Sequence, residues 1–195
     1  VLLLQGQNNA YARDSKILYT RENISNYFQG IVSSKNNYDN EAFKRLKKVQ
    51  LLKYEHSKFN IEYLRTLIIL EKFDDAFLFS KSVWAKDELF FEADLILGLN
   101  FFSKKDYVNA EKHFERLNKI SKYNLFFDDF IGNILLAWSK ASQGQREESL
   151  KFLDKIPNNY IHLKKTQKSF LYCYFDMNNT EVSFRKIIED KEYNF

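Results

Sequence analysis

A small residue recurs along this chain at a nearly fixed distance. Ala42, Ala76 and Ala110 are spaced by 34 and 34, Ser149 follows after 39, and Ser183 after a further 34. Few folds tolerate such a period, because each unit must be one supersecondary element that buries its apolar face against the next. The surroundings recur too: Tyr38-Asp39-Asn40-Glu41-Ala42, Phe73-Asp74-Asp75-Ala76 and Tyr107-Val108-Asn109-Ala110 each set an aromatic and a short polar stretch ahead of the small residue. Twelve residues before each small residue stand Gly30, Leu64, Gly98, Ala137 and Leu171. Three of these five are small and leave room for two helices to cross closely. Two helices of about 12 to 14 residues joined by short turns fill such a unit. In the third unit Phe91, Leu95, Leu97, Leu99, Phe101 and Phe102 thicken one helix, and Ala110, Phe114 and Leu117 mark its partner. Lys104-Lys105-Asp106 and Gln143-Gly144-Gln145 read as the turns between them, and Pro157 with Asn158-Asn159 ends a helix.

Composition excludes the main alternatives. Five glycines and one proline in 195 residues are too few for a turn-rich β-sandwich or for the glycine-rich turns of Rossmann and P-loop units. The net charge of +4 comes from 30 basic and 26 acidic residues mixed along the chain, unlike the concentrated basic stripe of a nucleic-acid binder. No apolar run reaches the length of a transmembrane helix. A single cysteine, Cys173, excludes a disulfide framework and a multi-cysteine zinc site.

The third unit, with Leu97-Gly98, Phe101, Tyr107, Ala110, Phe114 and Leu117, resembles a tetratricopeptide repeat. The fourth keeps Leu136-Ala137, Gly144, Ser149 and Leu153, with Lys140 and Arg146 where aromatics are expected. The second keeps Leu67, Phe73 and Ala76, with Leu64 in place of glycine and Ser80 in place of an aromatic. The first reads as having one extra turn residue near Asn40, and the fifth, with Phe170, Tyr174, Ser183 and Ile187, is the weakest. The likeness covers residues 22 to 190, and the composition also resembles that of such proteins from AT-rich marine α-proteobacteria. It implies an all-α fold, a right-handed α-solenoid of about five helix–turn–helix repeats near 22–55, 56–89, 90–122, 123–160 and 161–195. Gly30, Ala42, Ala76, Gly98, Ala110, Ala137, Ser149 and Ser183 would pack the repeats. The resemblance further implies a concave groove for a protein or peptide, without cofactor or nucleic acid. The repeat phase assigns to it Tyr27, Ile31, Ile61, Arg65, Leu95, Leu99, Phe102, Ile134, Trp138, Tyr172 and Phe175. Tyr27 and Ile31 stand where carboxylate-gripping members of the family carry Lys, Asn or Arg.

The two ends carry further expectations. Val1-Leu2-Leu3-Leu4 followed by Ala10-Tyr11-Ala12 has the small-x-small pattern of a signal-peptidase site, so residues 1–12 read as a signal remnant or tail. An exported, periplasmic setting follows from that reading, with a cytoplasmic one otherwise. Envelope assembly or secretion is then the natural role by family analogy. The array also stops without a polar capping helix, which reads as a fragment of a longer protein.

No catalytic constellation emerges. His56, His113 and His162 are some fifty residues apart, without metal-ligand spacing, and read as solvated or half-buried. Asp74-Asp75, Asp87-Glu88 and Asp128-Asp129 suit helix starts. Cys173, mid-helix, reads as a small core residue. The expected function is therefore a non-catalytic interaction scaffold. The alternative is the helical part of a larger enzyme whose catalytic domain lies elsewhere, and RNA binding by a 35-residue helical repeat fits the 34-residue phase poorly.

Overall fold

The computed structural model describes residues 19–85, 88–121 and 130–189. The expectations placed on residues 1–12, and on Asp87 and Asp128-Asp129, lie outside those residues. Two compact units divide the chain, Val1–Val83 and Trp84–Phe195. Among the described residues they hold ten α-helices and no strand.

The first unit contains α1 (Arg21–Lys35), α2 (Asp39–Lys47), a 3-10 turn (Gln50–Tyr54), α3 (Ser57–Ile69) and α4 (Phe73–Val83). Each helix packs on the next, and α1 also packs on α3. Ala42, Leu46, Phe59, Leu64, Leu67 and Ala76 are wholly buried there. The second unit contains α5 (Phe91–Ser103), α6 (Tyr107–Ser121), α7 (Phe130–Ser142), α8 (Arg146–Asp154), a 3-10 turn (Asn158–Tyr160), α9 (Ile161–Tyr174) and α10 (Thr180–Glu189). Again each helix packs on its successor. One core gathers around Ala110, Phe114, Leu117, Ile120 and Leu136, and a second around Ala137, Ala141, Leu153, Ile156 and Leu171.

The period is written most clearly in the turns. Asn37, Glu71, Lys105, Gly144 and Asp176 all take a left-handed conformation, with φ of 61°, 56°, 62°, 74° and 49°. Each closes the same hydrogen-bond pair at the end of a first helix: Asn37 N–H donates to Ser34 O and Tyr38 N–H to Ser33 O, and the four later turns repeat both bonds. This is the Schellman motif, in which the left-handed residue lets two orphan carbonyls find donors. From Asn37 to Ala42 the chain advances five residues, as it does from Glu71 to Ala76 and Lys105 to Ala110. The expected extra residue near Asn40 is therefore absent. Tyr38 is the counterpart of Lys72 and Asp106, not of the helix-starting aromatic. The fifth turn is the longer one, with seven residues from Asp176 to Ser183. A side chain at a left-handed position costs about 1 kcal/mol that glycine avoids. Lys105→Gly is accordingly expected to stabilise the second unit by about 0.5–1 kcal/mol, read as a higher urea midpoint. A lower midpoint would overturn this account of the turn.

Glycine is required where the paired helices cross. A Cβ on Gly30 would stand 2.6 Å from Leu46 Cδ2, and one on Gly98 would stand 2.4 Å from Phe114 Cε1. Both glycines precede the obstructing residue by sixteen. At the same spacing the second repeat pairs Leu64 with Ser80, both wholly buried, so the large residue has moved to the first helix and the small one to the second. Ala137 and Leu153 return to the original order. The departures from the repeat pattern at Leu64 and Ser80 thus compensate each other in volume.

Candidate functional site

The structure places the residues assigned to the groove on first helices of both units, except Phe175, which stands at the C-cap just beyond α9. In the first unit Tyr27 and Ile31 of α1 and Ile61 of α3 are half-buried, and Arg65 is exposed. The Tyr27 ring stacks on His56 with centroids 6.0 Å apart. In the second unit Leu95 and Phe102 pack against the core around Phe114, while Ile134, Trp138 and Phe175 pack against the core around Leu153. Tyr172 is half-buried and Leu99 is 39 % exposed. Trp138 is held in place: its Nε1–H donates to Gln167 Oε1 at 2.9 Å, and its ring meets Tyr174 edge-on at 5.8 Å. Tyr174 and Phe170, named in sequence only as repeat features, are both exposed on α9. Of the repeat-packing residues, Gly30, Ala42, Ala76, Gly98, Ala110, Ala137 and Ser149 are buried. Ser183 is half-buried, with its hydroxyl 2.5 Å from that of Ser169. Gly132, passed over in the sequence, is buried where a Cβ would meet Asn118 Oδ1 at 2.2 Å.

A buried charge cluster went unnoticed in the sequence. Asp94 lies on α5 with no exposed surface. Its Oδ1 accepts from Trp84 Nε1 at 2.9 Å and from Arg116 Nε at 2.9 Å, and lies 2.8 Å from His113 Nδ1. Its Oδ2 also accepts from Arg116 Nε, at 3.1 Å. The Arg116 guanidinium donates onward to Ala85 O at 3.1 Å and to Glu88 O, and lies over the Trp84 ring at 5.0 Å. His113, expected to be solvated or half-buried, is only 6 % exposed. Its ring stacks on Phe101 with centroids 5.7 Å apart and meets the Trp84 ring edge-on at 5.4 Å. The carboxylate can stay in the interior because three side chains satisfy it. The cluster pins the stretch leading into α5 onto α5 and α6. The available signal was the second of two acidic residues in α5, Asp94, set between Ala93 and Leu95 in the apolar run, with His113 and Arg116 one turn apart on α6.

Two further carboxylates join successive repeats. Glu111 of α6 accepts from Ser139 Oγ, Lys140 Nζ and Gln143 Nε2 of the α7 end at 3.0, 2.7 and 2.6 Å. Glu62 of α3 accepts from Ser34 Oγ at 3.1 Å and pairs with Lys35 Nζ at 2.9 Å. Burial alone would raise the Glu62 carboxyl, but the hydrogen bonds from Lys35 and Ser34 outweigh it and hold it below the ordinary range. A carboxyl depressed in the folded state adds stability above its unfolded pKa, about 4.3, and loses it as pH falls through the folded value. The stability gap between wild type and Glu62→Gln is therefore expected to be full at pH 6–7 and to close on acidification below about 4.3. Urea titrations across that range check it; a gap unchanged down to pH 2.5 would refute it.

The remaining chemistry is sparse. Among the described residues no group of three or more His, Cys, Asp and Glu could hold a metal ion. No described helix is long and apolar enough to cross a membrane. His56 occupies the N-cap position of α3 and His162 the first turn of α9. Cys173, expected in the core, is exposed.

These features define the class: an all-α protein of the tetratricopeptide-like solenoid type, built from helix pairs in sequence order. No family model matches the chain, and no curated protein matches it. Among solved structures it is similar in fold to MamA. A crystal structure of the MamA protein shares 16 % identity over 88 % of this chain and 95 % of that one, with a TM-score of 0.68. For MamA MSR-1 the identity is 14 % over 87 % and 96 %, TM-score 0.64. For MamA AMB-1 it is 15 % over 88 % and 93 %, TM-score 0.64. At such identities the likeness speaks to the fold alone.

Proposed function

We propose that this chain is a non-catalytic scaffold that holds another polypeptide against its first helices. Repeat arrays of this class act by presenting extended surface rather than an enclosed pocket. The observation that carries the reading is on α9 and α7. Trp138 is half-buried and fixed by Gln167, and exposed Tyr174 meets its ring edge-on. An exposed aromatic beside a rigid tryptophan is typical of binding hot spots. Leu99 on α5 adds a further exposed aliphatic group. The function extends, on our reading, to an exported protein working in envelope assembly or secretion, supported by the small-x-small pattern at Ala10-Tyr11-Ala12.

Pull-down from a cell-envelope extract with wild-type protein and with Trp138→Ala tests the groove. Loss of a hot-spot tryptophan commonly costs about 2 kcal/mol or more, so partner recovery is expected to drop more than ten-fold. A melting curve accompanies it, because Trp138 also packs on the Leu153 core. Leu99→Glu, at an exposed position, provides a variant with little effect on folding. Undiminished capture by both variants, or a loss explained by unfolding of Trp138→Ala with Leu99→Glu silent, would overturn the assignment.

A further inference from the structure

A recess of about 230 Å³ opens in the first unit, lined from α2, the 3-10 turn that follows it, α3 and α4. Its walls are aromatic: Phe43 stacks on Tyr63 at 6.2 Å, and Phe79 meets Tyr63 edge-on at 4.9 Å. Gln50 and Ser82 complete the lining on this side. Thirty-four residues beyond them stand Trp84 and Arg116. In the second unit the Arg116 guanidinium lies over the Trp84 indole at 5.0 Å. An amide and a hydroxyl thus replace an indole and a guanidinium, and the recess is the room they leave. A second trace of the missing ring lies beside it. Asp94 accepts the Trp84 indole N–H. Its equivalent, Asn60, donates Nδ2 to Lys53 O at 2.9 Å, while its buried Oδ1 has no partner among the described residues.

The charges favour an anion. Lys47 and Lys53 line the recess against one acid, Asp75. Their ammonium groups lie 5.4 and 4.8 Å over the Phe43 and Tyr54 rings, and neither pairs with a carboxylate among the described residues. Tyr63, only 3 % exposed, accepts from Gln50 Nε2 at 2.7 Å, so its own hydroxyl proton is left to donate. We infer that the recess is a binding site for an aromatic carboxylate. The ring takes the place that Trp84 fills one repeat later, and the carboxylate is held by charge-assisted hydrogen bonds from Lys47 and Lys53. An engineered cavity of about 150 Å³ takes up benzene, so this recess has room for a ring with its carboxylate. Such a group is presented either by a free acid or by the C-terminal aromatic residue of a polypeptide. The site is independent of Trp138.

Calorimetric titration of the purified full chain with indoleacetate tests the site, since the indole N–H is the donor that Asn60 lacks. A short peptide ending in a free tryptophan carboxylate forms the second arm, and the tighter of the two names the source. Saturable binding is expected in at least one arm, and at least ten-fold weaker binding for the corresponding neutral amide. Gln50→Trp restores the side chain of the next repeat and is expected to close the recess, weakening binding at least ten-fold without lowering the melting temperature. Lys47→Glu, at an exposed position that spares the fold, is expected to weaken binding as much and decides the matter should Gln50→Trp unfold. An absence of saturable binding in both arms, amides that bind as well as the acids, or binding indifferent to Lys47→Glu would overturn the assignment. So would undiminished binding by a folded Gln50→Trp variant.

Discussion

Asp94→Ala is expected to lower the stability of the second unit by about 3–5 kcal/mol, the largest effect of any single substitution outside the hydrophobic core. Removing one member of a buried charge cluster leaves the others buried without their partner, and that penalty exceeds the net worth of the intact pair. Here the abandoned groups are the Arg116 guanidinium, the His113 ring and the Trp84 indole N–H, each within 2.9 Å of Asp94 Oδ1. Asp94→Asn retains an oxygen acceptor and is expected to cost less. Urea denaturation followed by helical circular dichroism measures both. A loss below about 1 kcal/mol for the alanine variant would mean that the cluster rearranges freely and does not clamp the entry to α5.

The second large effect concerns the helix crossing in the third repeat, and its signature is a reversal of sign. Phe114 is wholly buried against Gly98, and Phe114→Ala should cost about 3–5 kcal/mol through lost burial and the cavity left behind. Gly98→Ala alone should also destabilise. Its new methyl stands 2.4 Å from Phe114 Cε1, and overpacking of about 1–3 kcal/mol outweighs the gain of up to about 1 kcal/mol in helix propensity. In the Phe114→Ala background the obstruction is gone, so Gly98→Ala should stabilise by about 1 kcal/mol. Additive effects in this double-mutant cycle would show that the two residues do not share the crossing.

The repeat crossings show how far a pattern of residue sizes can be read. Glycine or alanine at 30, 98 and 137 announces a close approach, and the 34-residue phase locates the partner helix. Leu64 and Ser80 look like two separate lapses until the structure places both, wholly buried, in the paired helices of one repeat. The first turn was misread for a related reason. An aromatic at 38 imitates the aromatic that starts the next helix, and only the left-handed φ of Asn37 fixes the register. Cys173 and His113 exchanged places relative to expectation, the first exposed and the second buried. Helical periodicity identifies an apolar face, but neighbouring repeats decide which flank of it they cover.

By itself the sequence determined the helical class, the pairing of helices and the 34-residue repeat. Those depend on local spacing and on residue size, which are linear properties of the chain. Tertiary structure alone decided where charge could be buried. Asp94 is tolerable only because Trp84, His113 and Arg116, from 10 to 22 residues away, converge on its carboxylate. It also decided which positions of the repeat are covered. Phe28 and Glu62 occupy the same place in their repeats, yet Phe28 is exposed and Glu62 is buried where α1 packs on α3.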